Sequence, residues 1–384
     1  MKKRNTRKKS KSNKLFDPDE ISTLISQAIV SDMGSATHVY GDSNDPVAYA
    51  KSRQKAEILK KYCSEDQDKE KLESDTFHKF LEINRHMIET NRGLEKTLPW
   101  TATNIRASTP TMDRIHLRAR ALMYEILTPF TEEEWHLECK NSGGSSVGVP
   151  YRDTSVEAKF TFPMTVTKDC LPYMERYWRT NTQLARAIRN FNRAYPLVDN
   201  PYQTVRGSRA TTVDKTTDKR RMICVEPTCN MFLQQGLMQM LYKRMRVFGL
   251  DVETLPERNK YLAYISSIIG NLATIDWSSA SDTVSSKLIE WLLPPMWLEV
   301  VTKTRSHFTT IGGRSVKLAM VSTMGNAVTF PLETLVFWTY AHAVHHTITD
   351  PGNISLFKKF EQRPRNISVL AMIALWLQLW LIHL

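Results

Sequence analysis

Apolar positions recur at helical spacing through the first half of the chain. From Asp45 to Cys63 and from Asp75 to Asn91 the pattern predicts amphipathic helices, with Phe77, Phe80, Leu81, Ile83, Met87 and Ile88 near one face. Met112 to Leu127 predicts another, closed by Pro129. Asn230 is the expected N-cap of a helix over Met231 to Phe248, whose Phe232, Leu233, Leu237, Met240 and Leu241 share a side and which Gly249 ends. Such stripes are core faces, and Lys51, Arg53, Lys55, Lys60 and Lys61 between them read as solvated surface.

The period changes further on. Leu272 to Ile275 has the length and apolarity of a buried strand and ends on Asp276. A Ser-rich turn follows, with Ser281 or Asp282 as the expected N-cap of a helix over Thr283 to Leu293 that Pro294-Pro295 stops. Ser306 to Leu318 predicts a hairpin across Gly312-Gly313. Val321 to Pro331 is then a loop opening the apolar run Leu332 to Val344. Ile367 to Leu384 is nearly all apolar and, at roughly eighteen residues, close to a bilayer span. Taken literally, it is a membrane tail anchor.

At 384 residues and 41% hydrophobic content the chain can bury a sizeable core in more than one lobe. Its net charge of +12 points to anionic partners, nucleic acid being the common one. Five scattered cysteines with no C-x2-C pair fit neither a zinc knuckle nor a disulfide framework and suit a reducing cytosol. The basic start lacks an apolar core segment, so residues 1–20 read as a disordered basic arm touching RNA phosphates without sequence preference.

Three stretches carry candidate chemistry. Asp276, at a strand end beside a helix start, can hold a hard cation, although an isolated D-x5-D is more often a plain capped turn. Arg206, Arg209, Lys215, Lys219, Arg220 and Arg221, interleaved with Thr and Ser, read as a basic hairpin able to clamp a triphosphate or RNA. Asn141 to Gly148 is rich in Gly and Ser, so its backbone can approach a phosphate, but it lacks a Walker ending. His342, His345 and His346 form an H-x2-H-H cluster with no evident third ligand, which favours a helix-surface role over a metal site.

The segments TIDWSSASDT and STMGNAVTFPLETLVFW resemble the motifs called A and B in the RNA-dependent RNA polymerase, the replicase beta subunit, of leviviruses, positive-strand RNA bacteriophages. The likeness extends to Asn141–Val149 with Thr154 and to Arg206–Arg209 through Ile223–Pro227, the latter matching motif F. It implies an α+β right-hand polymerase fold, with a mostly helical N-terminal and fingers region over 21–265 and part of a palm over 266–369. It further implies Mg2+, or Mn2+ in its place, at Asp276, with Asp282, Ser322 and Asn326 near the ribose and Gly325 leaving room for nucleotide and template. The implied partners are template and nascent RNA, nucleoside triphosphates, host translation elongation factors Tu and Ts, and a ribosomal protein, in the cytoplasm of the infected bacterium.

One departure stands out: the Gly-Asp-Asp turn of the resembled family, expected shortly after residue 365, is not in the sequence, and no thumb is expected. Inserting one T after the codon of Val369 turns a TTG codon of Leu370 and the codons after it into Phe-Gly-Asp-Asp. Residues 370–384 are therefore expected to be out-of-frame translation rather than a genuine membrane segment, and the chain as written to be inactive. A non-catalytic RNA-binding protein and a tail-anchored accessory protein are the alternatives.

Overall fold

A computed structural model of the protein describes residues 17–33, 45–58, 68–99, 109–149, 151–193, 200–216, 218–270, 272–349, 367–370 and 373–377. These form two compact units: residues up to His78 together with Thr212–Arg221, and Lys79–Thr211 together with Met222–Leu384.

In the first unit helices α1 (Pro18–Met33) and α2 (Pro46–Ile58) contact each other. Helix α3 (Lys69–Thr97) begins here and extends well beyond the expected Asp75 to Asn91, while the tail of the helix expected to reach Cys63 lies outside the described residues. The tip of a β-hairpin, β3 (Ser208–Thr216) and β4 (Lys219–Val225), completes this unit.

The second unit is built on α4 (Pro110–Leu127), α5 (Glu132–Glu138), α6 (Val156–Lys159), α7 (Leu171–Thr180), α8 (Thr182–Asn192), α9 (Thr228–Val247), α10 (Leu255–Ile269), α11 (Ser286–Leu292), α12 (Pro295–Thr304) and α13 (Thr329–Thr349). Helix α9 is its axis, packed by α5, α12 and α13, while α13 lies along α4. Trp135, Trp291 and Trp297 are fully buried, and two of them use their indole N–H on helix carbonyls: Trp135 on Leu233 (2.9 Å) and Trp297 on Leu127 (2.6 Å). That satisfies the one polar atom a buried tryptophan brings into a core.

Among the described residues, three small sheets accompany the helices. Strand β1 (Met164–Thr167) pairs in parallel with β2 (Tyr202–Val205). The basic hairpin joins β6 (Phe308–Ile311) and β7 (Arg314–Lys317) in the order β4-β3-β6-β7, with β7 folded back across Gly312-Gly313 as the sequence predicts. The third sheet has the order β5 (Leu272–Asp276), β9 (Ile373–Leu377), β8 (Ser368–Leu370), all antiparallel. Its helical cover is α10 and α13. The fold is thus helix-rich α+β.

Some local expectations change. Asn230 does not cap α9: the helix starts at Thr228, directly after Pro227, and Asn230 is fully buried with its amide on Thr167 and on the Thr304 carbonyl (2.8 Å). Helix α11 is capped by Ser285, which accepts from Leu288 N at 3.2 Å; Ser281 and Asp282 instead belong to a short 3-10 turn. Thr283 and Val284 are β-branched and delay the α-helix past that turn. Strand β5 is not buried on both faces. Thr274 and Asp276 are exposed while Ala273 and Ile275 are half-buried, as expected of an antiparallel sheet with helices on one side. His342 is buried (1% exposed) against Trp338 rather than on the helix surface, because this side of α13 packs into the core. Part of the Ile367–Leu384 run forms β8 and β9, and no helix among the described residues is long and apolar enough to cross a membrane.

Candidate functional site

Asp276 is the last residue of β5, with its side chain on the open side of the sheet. Backbone register sets it opposite Ile373, the first residue of β9, which pairs in turn with β8. Asp276 is therefore a neighbour of the start of β9, almost a hundred residues away along the chain.

After Asp276 the chain reverses sharply. Trp277 stacks on Phe337 of α13 (ring centroids 4.4 Å apart, 19° between planes) and anchors the turn. Ser279 adopts a left-handed backbone (φ +57), the one such non-glycine among the described residues. That conformation is disfavoured for a residue with a Cβ and persists where the surroundings impose it. It delivers Ala280 and Ser281 into the core and leaves Asp282 half-exposed.

Asp282 lies close to Glu333 on α13, and this pair is a feature the sequence reading missed. Glu333 is 2% exposed, its Oε1 has no hydrogen-bond partner, and burial first, then the charge of Asp282, push its carboxyl up to about 7. The available signal was a carboxylate inside the otherwise apolar run that becomes α13.

The loop before α13 is fastened to β4. Cys224 N donates to the Met324 carbonyl (2.8 Å), and Gly325 has φ +109. A Cβ at Gly325 would stand 2.4 Å from the Cys224 carbonyl oxygen, so the space glycine leaves is filled by the β4 backbone. Asn326 is buried; its Nδ2 donates to Glu226 Oε1 (3.2 Å) and its Oδ1 accepts from Val328 N (3.0 Å). Ser322 is also buried, at 4% exposure.

Glu226, just past the end of β4, is a second group the sequence reading did not single out. It is 2% exposed, accepts from Ser306 Oγ (2.6 Å) and from Asn326, and has the buried Arg305 nearby. Burial raises the Glu226 carboxyl pKa, opposed by those hydrogen bonds and the Arg305 charge. Arg305 donates to the Met320 carbonyl (2.8 Å), and burial lowers its guanidinium to about 10. One carboxylate thus ties together the end of the basic hairpin, the turn after α12 and the Ser-x-Met-Gly-Asn loop.

The six basic residues of Arg206 to Arg221 divide by what they touch. Arg206 lies over the Phe308 ring (4.4 Å). Arg220 is held by Asp214 (2.8 Å) and by Thr212, and Lys219 is 3.8 Å from Asp218. Arg209, Lys215 and Arg221 are exposed and form no ion pair among the described residues. These three are best placed to meet an outside anion.

The divalent-metal donor set is incomplete. Asp276 offers one exposed carboxylate, and no group of three or more His, Cys, Asp or Glu side chains is placed to hold a metal ion among the described residues. The H-x2-H-H cluster makes no such site either. The backbone position nearest to Asp276 across the sheet is occupied by Ile373.

Known proteins resemble the chain over most of its length. A family model described as RNA replicase, beta-chain, matches residues 4–358. The RNA-directed RNA polymerase beta chain of Enterobacteria phage GA is 33% identical over 274 residues, covering 66% of this chain and 48% of the relative. The corresponding beta chain of Escherichia phage MS2 is 28% identical over 362 residues, covering 91% and 62%. The RNA-directed RNA polymerase subunit beta of Escherichia virus Qbeta is 33% identical over 233 residues, covering 60% and 37%. Against these curated relatives the chain spans from about a third to about three fifths of their length. With the family model covering almost all of it, the chain belongs to the RNA replicase beta-chain family.

Proposed function

We propose that this chain carries part of the active centre of an RNA-directed RNA polymerase that copies a phage RNA genome, with a right-hand architecture in which β5, β8 and β9 belong to the palm. The observation that carries the reading is the register of that sheet: Asp276, at the end of β5, faces the start of β9. Two-metal nucleotidyl transfer needs carboxylates from separate segments brought together, which the ends of two paired strands can supply.

In the reaction an RNA 3'-hydroxyl attacks the α-phosphate of a nucleoside triphosphate and pyrophosphate leaves. Asp276 would be one ligand of a divalent cation, Mg2+ or Mn2+, which would supply activation of the hydroxyl and offset charge on the leaving group. Asp282 offers a carboxylate to accept from a ribose 2'-hydroxyl. Asn326 keeps one amide N–H beyond its bond to Glu226, and Ser322 and Gly325 shape the same loop. Arg209, Lys215 and Arg221, which form no ion pair among the described residues, offer guanidinium or ammonium groups for triphosphate or RNA, with Arg206, Lys219 and Arg220 beside them in the chain. The host translation factors Tu and Ts and a ribosomal protein remain proposed partners on family grounds alone.

The missing carboxylates fit this register. Restoring the frame after Val369 sets Gly at position 371 and Asp at 372 and 373, so the second Asp would stand opposite Asp276. As written, the chain is expected to be inactive. Primer extension on an RNA template with Mg2+, comparing this chain with a frame-restored one and each with Asp276→Ala, tests the reading. Extension by the restored chain alone, abolished by the substitution, supports it. Binding of RNA without extension by either folded chain refutes it in favour of an RNA-binding protein.

A further inference from the structure

Away from Asp276, a cavity of about 350 Å3 opens among α6, β1, β2 and the start of α9. Its walls include Lys159, Thr161, Thr165, Gln203 and Thr228, with Asp153 beside them. Lys159, the last residue of α6, is 3% exposed. A lysine so buried is ordinarily paired with a carboxylate. Here its Nζ donates to the Ser142 carbonyl, and no carboxylate lies within ion-pair distance among the described residues. Burial lowers its pKa. Two of the three ammonium donors are left over.

The surroundings favour an anion. Helix α9, twenty residues long, begins at Thr228 on this cavity, and Pro227 at its cap supplies no side-chain bond, so the positive end of the helix adds to the lysine charge. Thr165 Oγ1 already accepts from Thr228 N (3.0 Å) and donates to the Val147 carbonyl, which fixes the wall. Next to Ser142, Gly143 and Gly144 have nothing within 4 Å of where a Cβ would stand, so the adjacent backbone faces open space along which a polymer can lie. Asp153 is exposed and screened by water, so the enclosed charge of the cavity is the one Lys159 ammonium. A phosphodiester carries the single negative charge that this ammonium balances, whereas a triphosphate carries several.

We propose that this cavity seats one phosphodiester of single-stranded RNA, with Lys159 Nζ as its cation. The inference rests on the reading of the chain as an RNA-handling protein and adds a contact made by residues outside the Asp276 site. Replacing the buried ammonium by a neutral side chain removes an unpaired charge, so Lys159→Gln is expected to fold.

The test is the salt dependence of binding of a labelled short oligouridylate to the full chain by fluorescence anisotropy, between about 50 and 200 mM KCl. Loss of one phosphate contact reduces the slope of log K against log salt by about 0.7 for a single strand. Lys159→Gln is expected to show that reduction, while Lys260→Gln, at an exposed lysine paired with Glu257, is expected to keep the wild-type slope. Gln203→Lys and Gln203→Glu, at an exposed wall position, are expected to strengthen and weaken binding respectively, and they decide the matter if Lys159→Gln does not fold. A wild-type slope in folded Lys159→Gln, or wild-type binding in both Gln203 variants, overturns the seat alone. Displacement of the RNA from wild type but not from Lys159→Gln by a nucleoside triphosphate overturns the phosphodiester assignment. No RNA binding by wild type overturns the seat together with the function it rests on.

Discussion

Replacing Glu226 by alanine removes the acceptor of two buried hydrogen bonds, from Ser306 Oγ at 2.6 Å and Asn326 Nδ2 at 3.2 Å, and an anion that offsets the buried charge of Arg305. Both donors and the cation are then stranded away from water. Breaking one side of a buried charged network of this kind costs about 3–5 kcal/mol. Glu226→Gln behaves differently: its carbonyl still accepts from Asn326, and its amide can donate to the Ser306 hydroxyl. The remaining loss is of charge assistance, about 1–2 kcal/mol, partly offset because a neutral amide is less costly to bury than a carboxylate. Urea unfolding followed by tryptophan fluorescence, with nine tryptophans as reporters, measures both variants. The double variant Glu226→Ala, Asn326→Ala should lose less than the sum of the two single losses, since the second change removes a donor already stranded by the first. An alanine variant within about 0.5 kcal/mol of wild type, or a glutamine variant as damaged as the alanine one, refutes the role of Glu226 as the tie between β4 and the Asn326 loop.

Two further outcomes follow from the same region. Glu333 titrates at about 7 in the folded chain against an ordinary value of 4.5, so between those values the folded state holds a proton that the unfolded chain has released. Stability is therefore greatest below the lower value, falls as pH rises toward about 7 and then levels. Glu333→Gln should flatten that fall and add about 1–3 kcal/mol at pH 8, read as thermal midpoints at acid and alkaline pH; a slope that persists in the variant rules the assignment out. Gly325→Ala should cost about 2–3 kcal/mol, because its Cβ would meet the Cys224 carbonyl oxygen at 2.4 Å and its φ is +109, whereas Gly312→Ala, with open space around it, should lose only the strain of φ +53. Equal losses at the two glycines would remove the close approach as the cause.

Periodicity alone determined the main helices and the β6–β7 hairpin, because each buries a stripe whose spacing is local: α4 and α9 fall within a few residues of their expected bounds, and Gly312-Gly313 marks the turn. The resemblance of the Asp276 and Ser-x-Met-Gly-Asn segments to polymerase motifs placed the chain in its family without any coordinates, and residues 4–358 bear that out. The helix starts were less legible: Asn230 and Ser281 have the chemistry of caps, but Pro227 and the left-handed Ser279 moved the starts elsewhere, through backbone constraints that a preference for capping residues does not express. What only the tertiary structure decided is pairing between distant segments. Nothing local relates Asp276 to the start of β9, Glu226 to Asn326, or Lys159 to the amino end of α9. Burial and charge acquire their meaning from what packs around a side chain: Glu333 is a carboxylate in an apolar run and Lys159 looks like an ordinary surface lysine, and enclosure makes one hold its proton and leaves the other in need of an anion.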